Sequence, residues 1–415
     1  MVGVVDSVRA CAEAAHGAAG SIAAAAPETV DAALQGIADR LAGAGREAVL
    51  AANAEDVRAG ESGGLPAATL DRLRLDDDRL DGMAHQLRVL ADIPHPETRR
   101  VVRELPDAVV EEHLRPVGVI GVNFEARPNV VVDVASQLLK SRNAGVLRTG
   151  SAAIRSAAAL LDSVVGPALA EAGLDPAAIQ LVRLPGRETA RALVSEPRLV
   201  PLVILRGSGQ STRELTAEAA RHGVRTLAHA DGGGVLYLDR SADRDRALRL
   251  VAESLDRLGV CNRVNLLLVD DDRWDDLVPE VLRELERLGV RASLPPHPHP
   301  LGHEWALDTG NEATVTLQPV SGPAEAAWLA DAETSGLAAA IVTDDASAAE
   351  TFLTAYTGTG AFWNVTTRLL DGFKLLGVPE TGINVDRVPG PRGPVTFPDL
   401  HLRQFVVTPR RPGRG

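Results

Sequence analysis

The sequence is poor in cysteine, aromatic residues and lysine. Only 2 of its 415 residues are cysteine, and aromatic residues make up 3%. Because Cys11 and Cys261 lie far apart, we expect no disulfide framework, and the thiols predict a reducing, cytoplasmic location. Lysine occurs only at Lys140 and Lys374 while arginine is frequent, which we interpret as a bias of composition.

A surplus of positive charge and a long apolar run are also missing. The formal net charge of −13 argues against nucleic acid as the main partner. No apolar run reaches the roughly 18 residues needed to cross a bilayer. Charged residues at positions 6, 9 and 13 interrupt the N-terminal apolar stretch, so a signal peptide is not expected either.

The pattern of apolar residues indicates an α/β protein. Residues 1 to about 93 are alanine-rich with helical spacing, and strands then alternate with helices through residues 118–240 and again through 241–384. This rhythm predicts two doubly wound domains with parallel sheets. Residues 101–117 and 385–409 read as extended segments outside both domains.

One stretch combines a reactive side chain with a rigid setting. An amphipathic helix is predicted to end at Gly259, Cys261 follows in a short polar loop, and a strand is predicted from Val264 to Val269. A thiol at the start of a buried strand can be partly exposed on a fixed base, so Cys261 is a candidate nucleophile. The alternative is a buried, inert cysteine.

Two turns are candidates for cofactor binding. Gly207, Ser208 and Gly209 lie between a strand and a helix, where glycines let the backbone approach phosphates. The run is not a complete G-x-G-x-x-G, and an ordinary turn is the alternative. Arg148 and Ser151 also end a strand and open a helix, so the guanidinium could hold a phosphate or could simply lie at the surface.

Two further motifs have open interpretations. The glycine run 232–234 precedes a strand and permits close approach of a ligand or of neighbouring chain. His297, His299 and His303 are clustered, but interleaved prolines indicate an exposed loop, and we expect no metal there.

A longer stretch carries a resemblance to a known family. Residues 117–129 read VGVIGVNFEARPN, and the segments 139–144 (LKSRNA), 51–56 (AANAED) and 259–262 (GVCN) accompany them. Together these resemble the γ-glutamyl phosphate reductases, also called glutamate-5-semialdehyde dehydrogenases, of the aldehyde dehydrogenase superfamily. The matching segments are spread over most of the chain.

The resemblance implies an aldehyde dehydrogenase-like fold and a set of roles. It implies an NADP-binding domain (1–104 and 118–240), a catalytic domain (241–384) and an oligomerisation arm (105–117 and 385–415). It further implies that the Cys261 thiol is the nucleophile and that Asn129 is an oxyanion donor. The positions assigned to the cofactor are Arg148, Ser151, Gly207, Ser208 and Gly209, and those assigned to the substrate are Arg127, Asn262, Arg263, Asn265 and Arg368.

This sequence also departs from the family pattern near the proposed site. The polar run that the family carries after a Ser-Gly pair is replaced by Leu337, Ala338 and Ala339. Asn265 replaces an acid, and Ala152 replaces another. A Cys-His pair expected after Gly232 is missing. Loss of hydrogen-bonding groups changes which substrate a site selects.

The resemblance therefore predicts NADPH-dependent reduction of γ-glutamyl phosphate, or of a related acyl phosphate, to the semialdehyde, as in proline biosynthesis. A homodimer or homotetramer and an upstream amino-acid kinase are the expected partners. Two alternatives follow from the departures. One is the same chemistry on a different amino-acid-derived substrate, and the other is a non-catalytic paralogue that binds a cofactor or a partner kinase.

Overall fold

A computed structural model describes residues 2–207, 209–229, 232–388 and 390–410. It has two α/β domains, each built on a parallel sheet, together with a small antiparallel sheet. The predicted doubly wound α/β architecture with an extended arm is confirmed.

The first half of the chain begins with five helices and continues into the small sheet and the first parallel sheet. The helices are α1 (Val2–Ala23), α2 (Pro27–Ala42), α3 (Arg46–Ser62), α4 (Ala67–Leu73) and α5 (Asp77–Asp92). The strands are β1 (Arg99–Glu104), β2 (Ala108–Pro116), β3 (Val119–Phe124), β4 (Ala144–Thr149), β5 (Ile179–Val182), β6 (Leu202–Arg206) and β7 (Arg225–His229). The helices between these strands are α6 (Val130–Lys140), α7 (Ile154–Leu160), α8 (Gly166–Glu171), α9 (Arg187–Leu193) and α10 (Gly209–His222).

Apolar spacing explains how these helices cover the sheet. Val8, Ala12, Ala15 and Ile22 of α1 are buried at intervals that place them on one helical face, and α1 packs on β4 and β5. Helix α6 packs on β3 and β4 and is buried along almost all of its length. Its one acidic residue, Asp133, stays partly exposed.

The segment Ser151–Glu171 runs through α7, a π-helical turn and α8 as one apolar helix. By length and hydropathy it is the one described segment that could cross a membrane, although no such run was expected from the sequence. Half of it is buried inside the protein, and it packs on α2 and α3. That setting is typical of a core helix.

The second domain follows the same plan. Its strands are β8 (Gly234–Leu238), β9 (Val264–Asp270), β10 (Arg291–Ser293), β11 (Thr314–Val320), β12 (Ala338–Val342) and β13 (Gly360–Trp363). Its helices are α11 (Arg244–Ser254), α12 (Trp274–Arg287), α13 (Pro323–Glu333), α14 (Ala346–Ala355) and α15 (Gly372–Leu376). The sheet order is β10-β11-β9-β8-β12-β13, with α11 and α12 in one apolar cluster and α13 and α14 in the other.

The last strands return to earlier parts of the chain. Strands β14 (Gly382–Asn384) and β15 (Gly393–Val395) form a hairpin that packs on β6 and β7. Strand β16 (His401–Pro409) pairs with β2, which also pairs with β1. The predicted boundaries need correction on three counts. Strand β8 belongs to the second domain, because it pairs with β9 and β12. Strand β1 belongs to the arm, because it pairs with β2. The hairpin of β14 and β15 belongs to neither of the units predicted for its strands, because it packs on β6 and β7 of the first domain.

Strand order determines where a cleft can form. The first sheet has the order β5-β4-β3-β6-β7 with all strands parallel. The chain moves outward from β3 through β4 to β5 and then crosses to β6 on the other side of β3. This reversal lies between β3 and β6, and ligands of open α/β sheets bind outside the carboxyl ends of the strands at such a point.

Candidate active site

A cavity of about 670 Å³ lies at the carboxyl ends of β3 and β6 and extends to the second domain. The predicted residues Asn129, Arg127 and Gly207 line it from the first domain. Cys261, Asn262 and Arg368 line it from the second domain. The structure thus brings together residues that are up to 241 positions apart.

The glycine run 232–234 holds the loop that carries the thiol. The Gly233 N–H donates to the Cys261 carbonyl at 3.0 Å, and the Gly234 N–H donates to the Arg263 carbonyl at 2.8 Å. A side chain at Gly232 would place its Cβ 2.6 Å from the Cys261 carbonyl oxygen. Of the two interpretations of this run, close approach of neighbouring chain is therefore what the structure shows.

Helix α11 ends at Ser254, whereas the sequence predicted a helix that continues to Leu258 and stops at Gly259. Charged side chains account for the difference. Asp256 accepts a hydrogen bond from Arg368 at 2.7 Å, and Arg257 Nε donates to Asp71 of the first domain at 2.9 Å. These contacts draw the segment before Cys261 out of the helix and against the first domain.

Asn262 positions the loop that faces it. Its Nδ2 donates to the Leu370 carbonyl at 3.0 Å, and its Oδ1 accepts a hydrogen bond from Arg368. The Thr367 hydroxyl donates to the Asn262 carbonyl at 2.8 Å. Asn262 is buried, so its amide is committed to the loop, whereas Arg368 both holds Asn262 and lines the cavity.

The half-buried Cys261 thiol lies among charged groups of both signs. Burial raises the pKa of Cys261, and Glu380 and Glu304 act in the same direction. Arg127 and Arg206 oppose this rise in the pKa. Burial lowers the pKa of Arg72, and the Cys261 thiolate is the main charge that opposes that shift. The resting thiol is therefore protonated at neutral pH, and nearby arginines favour its ionised form.

Asn129 and Asp133 form a pair at the start of α6. The Asn129 Nδ2 donates to Asp133 Oδ2 at 2.8 Å, and both residues line the cavity. Burial raises the pKa of Asp133 to about 7, with Glu380 and Asp371 adding to the rise and Arg206 and Asn129 opposing it. A carboxyl group that titrates near neutrality in the same cavity as a thiol is suited to proton transfer or to pH-dependent positioning.

The predicted cofactor residues divide into two groups. Gly207 lies at the carboxyl end of β6, where an added Cβ would come 3.0 Å from Glu125, and Gly209 is the buried first residue of α10. Ser151 is exposed at the carboxyl end of β4. These three lie at the edge where a nucleotide would bind. Ser208 lies outside the described residues.

Arg148 has a different role from the predicted one. Its Nε donates to the Thr189 hydroxyl at 3.0 Å, one terminal nitrogen donates to Asn123 at 3.1 Å, and the other donates to the Gly186 carbonyl at 2.5 Å. The residue is buried. The guanidinium therefore joins β3, β4 and the segment before α9, and we correct its role from phosphate ligand to positioning residue.

Arg263 and Asn265 do not line the cavity, contrary to the prediction. Arg263 is fully buried, and its guanidinium donates to the carbonyl groups of Val264, Glu312 and Thr314. Burial lowers the pKa of Arg263 to about 10. Because all three nitrogens bind backbone oxygens, the side chain anchors the segment before β11.

Asn265 lies behind the thiol loop. It is fully buried, and neither of its amide atoms has a hydrogen-bond partner among the residues that the structure describes. A Cβ on Gly233 would lie 3.8 Å from Asn265 Nδ2. Ala338 is paired with Gly234 in the neighbouring strand. The departures from the family pattern that the sequence analysis noted at 233–234, 265 and 338 therefore form one patch beside the thiol loop.

The histidine cluster packs behind the cavity. His297 contacts Gln318 at 3.2 Å, His299 contacts the Ser293 hydroxyl at 2.7 Å, and His303 contacts Asp308 at 2.8 Å. A search of the described residues finds no group of three ligands that could hold a metal ion. Glu304, next to His303, faces the cavity.

Several residues of the site escaped the sequence analysis. Arg72, Arg206 and Glu380 line the cavity, but no role was predicted for them. Arg72 lies in the segment 70–73, which also resembles the family, and Arg206 directly precedes the turn at Gly207. The sequence could have indicated Asp133 as a site residue, because it is the only acid in α6 and lies one helical turn after Asn129. The others are brought in by the contacts of their domains, which no local pattern reports.

Comparisons with known proteins agree with this geometry. A sequence model described as the aldehyde dehydrogenase family matches residues 5–299. The γ-glutamyl phosphate reductase of Thermotoga maritima is similar in structure, with a TM-score of 0.85, 25% identity, and coverage of 98% of this chain and 100% of that one.

Two further structures share the fold. The γ-glutamyl phosphate reductase of Saccharomyces cerevisiae has a TM-score of 0.53 at 21% identity, with 98% of each chain covered. An acetylating aldehyde dehydrogenase from Geobacillus thermoglucosidasius has a TM-score of 0.74 at 16% identity, covering 100% of this chain and 99% of that one. Because the family match spans more than half of the sequence, the chain belongs to the aldehyde dehydrogenase family.

Proposed function

We propose that this protein is an NADPH-dependent reductase of γ-glutamyl phosphate or of a closely related acyl phosphate. The observation that carries the proposal is the environment of Cys261. Arg127 and Arg206 favour the thiolate, and Arg72 also interacts with its charge, although the whole chain has a net charge of −13. Eight basic and five acidic side chains line the cavity, so its lining carries an excess of positive charge within an acidic protein. That excess favours an anionic substrate over a neutral aldehyde.

The chemistry proceeds through a thioester on Cys261. The ionised sulfur attacks the acyl carbon, and phosphate leaves with the electron pair of the broken C–O bond. The second N–H of the Asn129 amide and the Cys261 backbone N–H are the donors for the oxyanion. When bound, the reduced nicotinamide supplies a hydride to the thioester carbon. The aldehyde is released as the C–S bond breaks and the sulfur regains its electron pair.

Aldehyde dehydrogenases generally use NAD(P), and the residues present fit a dinucleotide. Gly207 leaves room beside Glu125 at the point where the strand order reverses, and Gly209 opens the 14-residue helix α10. The preference for NADP rests on the family resemblance. Arg148 stabilises this edge of the sheet by donating hydrogen bonds to Asn123 and to the Gly186 carbonyl, and it does not serve as a direct phosphate ligand.

The patch around Asn265 bears on the choice of acyl group. An amide with two unpaired buried atoms replaces an acid there, so the surroundings of the thiol loop differ from the family pattern. This supports an amino-acid-derived acyl phosphate related to γ-glutamyl phosphate as the alternative substrate. An amino-acid kinase is the class of enzyme that must supply it, and the free thiols at positions 11 and 261 favour a cytoplasmic location.

Removing the nucleophile tests the reaction. Cys261→Ala should lower NADPH oxidation with the acyl phosphate, and NADP reduction with glutamate-5-semialdehyde and phosphate, by about 10³-fold or more, since loss of a catalytic nucleophile costs up to about 10⁶. Cys11→Ala is the matched control, because that thiol lies on α1 beside the Leu181 carbonyl. Undiminished cofactor turnover by Cys261→Ala would refute the thiol mechanism. NADPH binding without turnover of any semialdehyde by the native protein would favour the non-catalytic alternative.

The charges around the thiol predict its reactivity. Alkylation of Cys261 by iodoacetamide should rise with pH through a midpoint above that of an ordinary thiol, because burial raises its pKa. Arg127→Gln should move the midpoint higher and slow alkylation at pH 7.5, since Arg127 favours the thiolate. Arg127→Lys keeps the charge and serves as the control. Peptide mass spectrometry separates Cys261 from Cys11, and a midpoint in Arg127→Gln at or below the native one contradicts the charge assignment.

Asp133 should determine the acidic limb of the pH profile. Below about pH 7 its carboxyl group is protonated and loses its value as an acceptor for the Asn129 amide, so kcat/KM should rise as pH increases through about 7. Asp133→Asn should remove that limb while leaving a limb that belongs to the thiol. An unchanged acidic limb in Asp133→Asn would assign that limb to another group.

The Asn129 amide can be tested separately. Asn129→Ala should lower kcat by about 10²–10³-fold, because one donor to the oxyanion is lost.

We also propose that the arm joins copies of this chain into a homodimer or homotetramer. Strand β16 exposes Leu402, Phe405 and Val407, each 55–61% accessible, on a sheet edge. Phe405→Ser with Val407→Ser should lower the mass measured by sedimentation, because the apolar contact area is lost. Leu307→Ser, an exposed apolar residue of the second domain, is the control. A native protein that sediments as a monomer would contradict the proposal.

A further inference from the structure

A second cavity, of about 350 Å³, lies between the first domain and the arm. Arg99 and Arg115 reach it from β1 and β2, Arg142 from the turn after α6, and His401 from the start of β16. Helix α6 has 11 residues and is therefore about 16 Å long, with Asn129 at one end and Arg142 just beyond the other. The cavity is thus separate from the site of Cys261.

The charged side chains that line this second cavity are all basic. Its lining contains three arginines and two histidines, and no carboxylate occurs among the described residues that line it. Two carboxylates outside the lining act on its histidines His113 and His401. Glu111 binds His113 at 2.8 Å, and Asp399 accepts a hydrogen bond from the Thr396 N–H at 2.9 Å. Nothing negative on the described lining offsets the guanidinium groups.

Two of the arginines have no partner within the described ranges. Arg115 donates to Gln404 at 2.9 Å, whereas no hydrogen bond or ion pair within these ranges engages the guanidinium of Arg99 or of Arg142. The Arg142 Nε is buried and without an acceptor. A buried donor on a charged group carries a desolvation penalty that an anion would remove. Arg99 and Arg115 are exposed, and a negatively charged group in the cavity would supply the acceptor that the Arg142 Nε lacks.

The backbone at Arg142 is strained as well. Its φ of +59° lies in the left-handed region, which an arginine seldom adopts. Neighbours hold it there. The Ser141 hydroxyl donates to the Gln137 carbonyl at 2.8 Å, and the Asn143 side chain joins the Gly118 N–H and the Leu400 carbonyl, each at 2.9 Å. The Arg142 N–H donates to the Leu139 carbonyl at 2.9 Å, and the Asn143 N–H donates to the Leu138 carbonyl at 2.8 Å. Arg142 thus caps the end of α6, a common position for this conformation, and the cap fixes where its side chain begins.

We infer that this cavity binds the phosphate group of a small molecule through Arg99, Arg115 and Arg142. The paired N–H donors of a planar guanidinium match the spacing of phosphate oxygens, and three guanidinium groups around one cavity suit a doubly charged group. Leu114 and Pro116 supply an apolar wall for the body of the ligand. The site is independent of the proposed reaction at Cys261.

Calorimetric titration of the full-length protein with inorganic pyrophosphate tests this inference. Arg142→Asn keeps a residue that tolerates the left-handed backbone but removes the charge, so binding to this cavity should weaken by about tenfold or more. Arg99→Gln should weaken it similarly. Arg103→Gln, an exposed arginine of β1 outside the cavity, should bind like the native protein. Arg127→Gln should retain this binding event, because Arg127 lines the other cavity.

Each other outcome has a defined meaning. Binding lost only in Arg127→Gln would place the single pyrophosphate site at Cys261 and overturn the inference. Native-like binding by both Arg142→Asn and Arg99→Gln would also overturn it. If the native protein binds no pyrophosphate, the inference is overturned. A change of sedimenting mass in Arg142→Asn would then show that a partner copy fills the cavity. Thermal unfolding of Arg142→Asn at or above the native midpoint separates loss of a ligand from loss of the fold.

Discussion

The packing of the glycine run 232–234 against the loop of Cys261 is the contact on which the site depends. Two backbone hydrogen bonds join these segments, and a side chain at Gly232 would collide with the Cys261 carbonyl. The chain passes from the first sheet to the second at this point. Both segments belong to the second domain, so this contact fixes the base of the thiol loop at the point where the chain enters the second sheet. The contact with the first domain is made by Arg257, just before the thiol, which donates to Asp71.

Arginine serves two purposes in this protein, and hydrogen bonding separates them. The guanidinium groups of Arg148 and Arg263 are buried and bound to oxygens of the protein through all three nitrogens. They join strands and loops and have little capacity left for a ligand. Arg127 and Arg206 act on the thiol through space, although Arg206 also donates to the Thr381 carbonyl at 3.2 Å. The role of an arginine near a binding site, structural or ligand-binding, therefore follows from the groups that its nitrogens already contact, since a guanidinium has a limited set of donors.

Opposing electrostatic effects define the chemistry of the cavity. Burial and two glutamates keep the Cys261 thiol protonated, while arginines favour the thiolate. An anionic substrate that pairs with those arginines changes this balance, and Asp133 titrates close to neutral pH beside the proposed oxyanion donor. The second cationic cavity, at the other end of α6, repeats the use of arginine without any compensating carboxylate among its described lining residues.

The sequence by itself determined the fold class and pointed to the candidate nucleophile. The alternation of strands and helices identified two doubly wound domains, and the position of Cys261 before a buried strand marked the thiol, because both signals are local. Tertiary structure decided the rest. It placed β8 in the second domain, turned Arg148 and Arg263 inward, and set Asn265 behind the thiol loop. It also brought Arg72, Arg206 and Glu380 into the cavity. The direction in which a side chain points depends on partners that are distant in sequence, and no periodicity within a single segment contains that information.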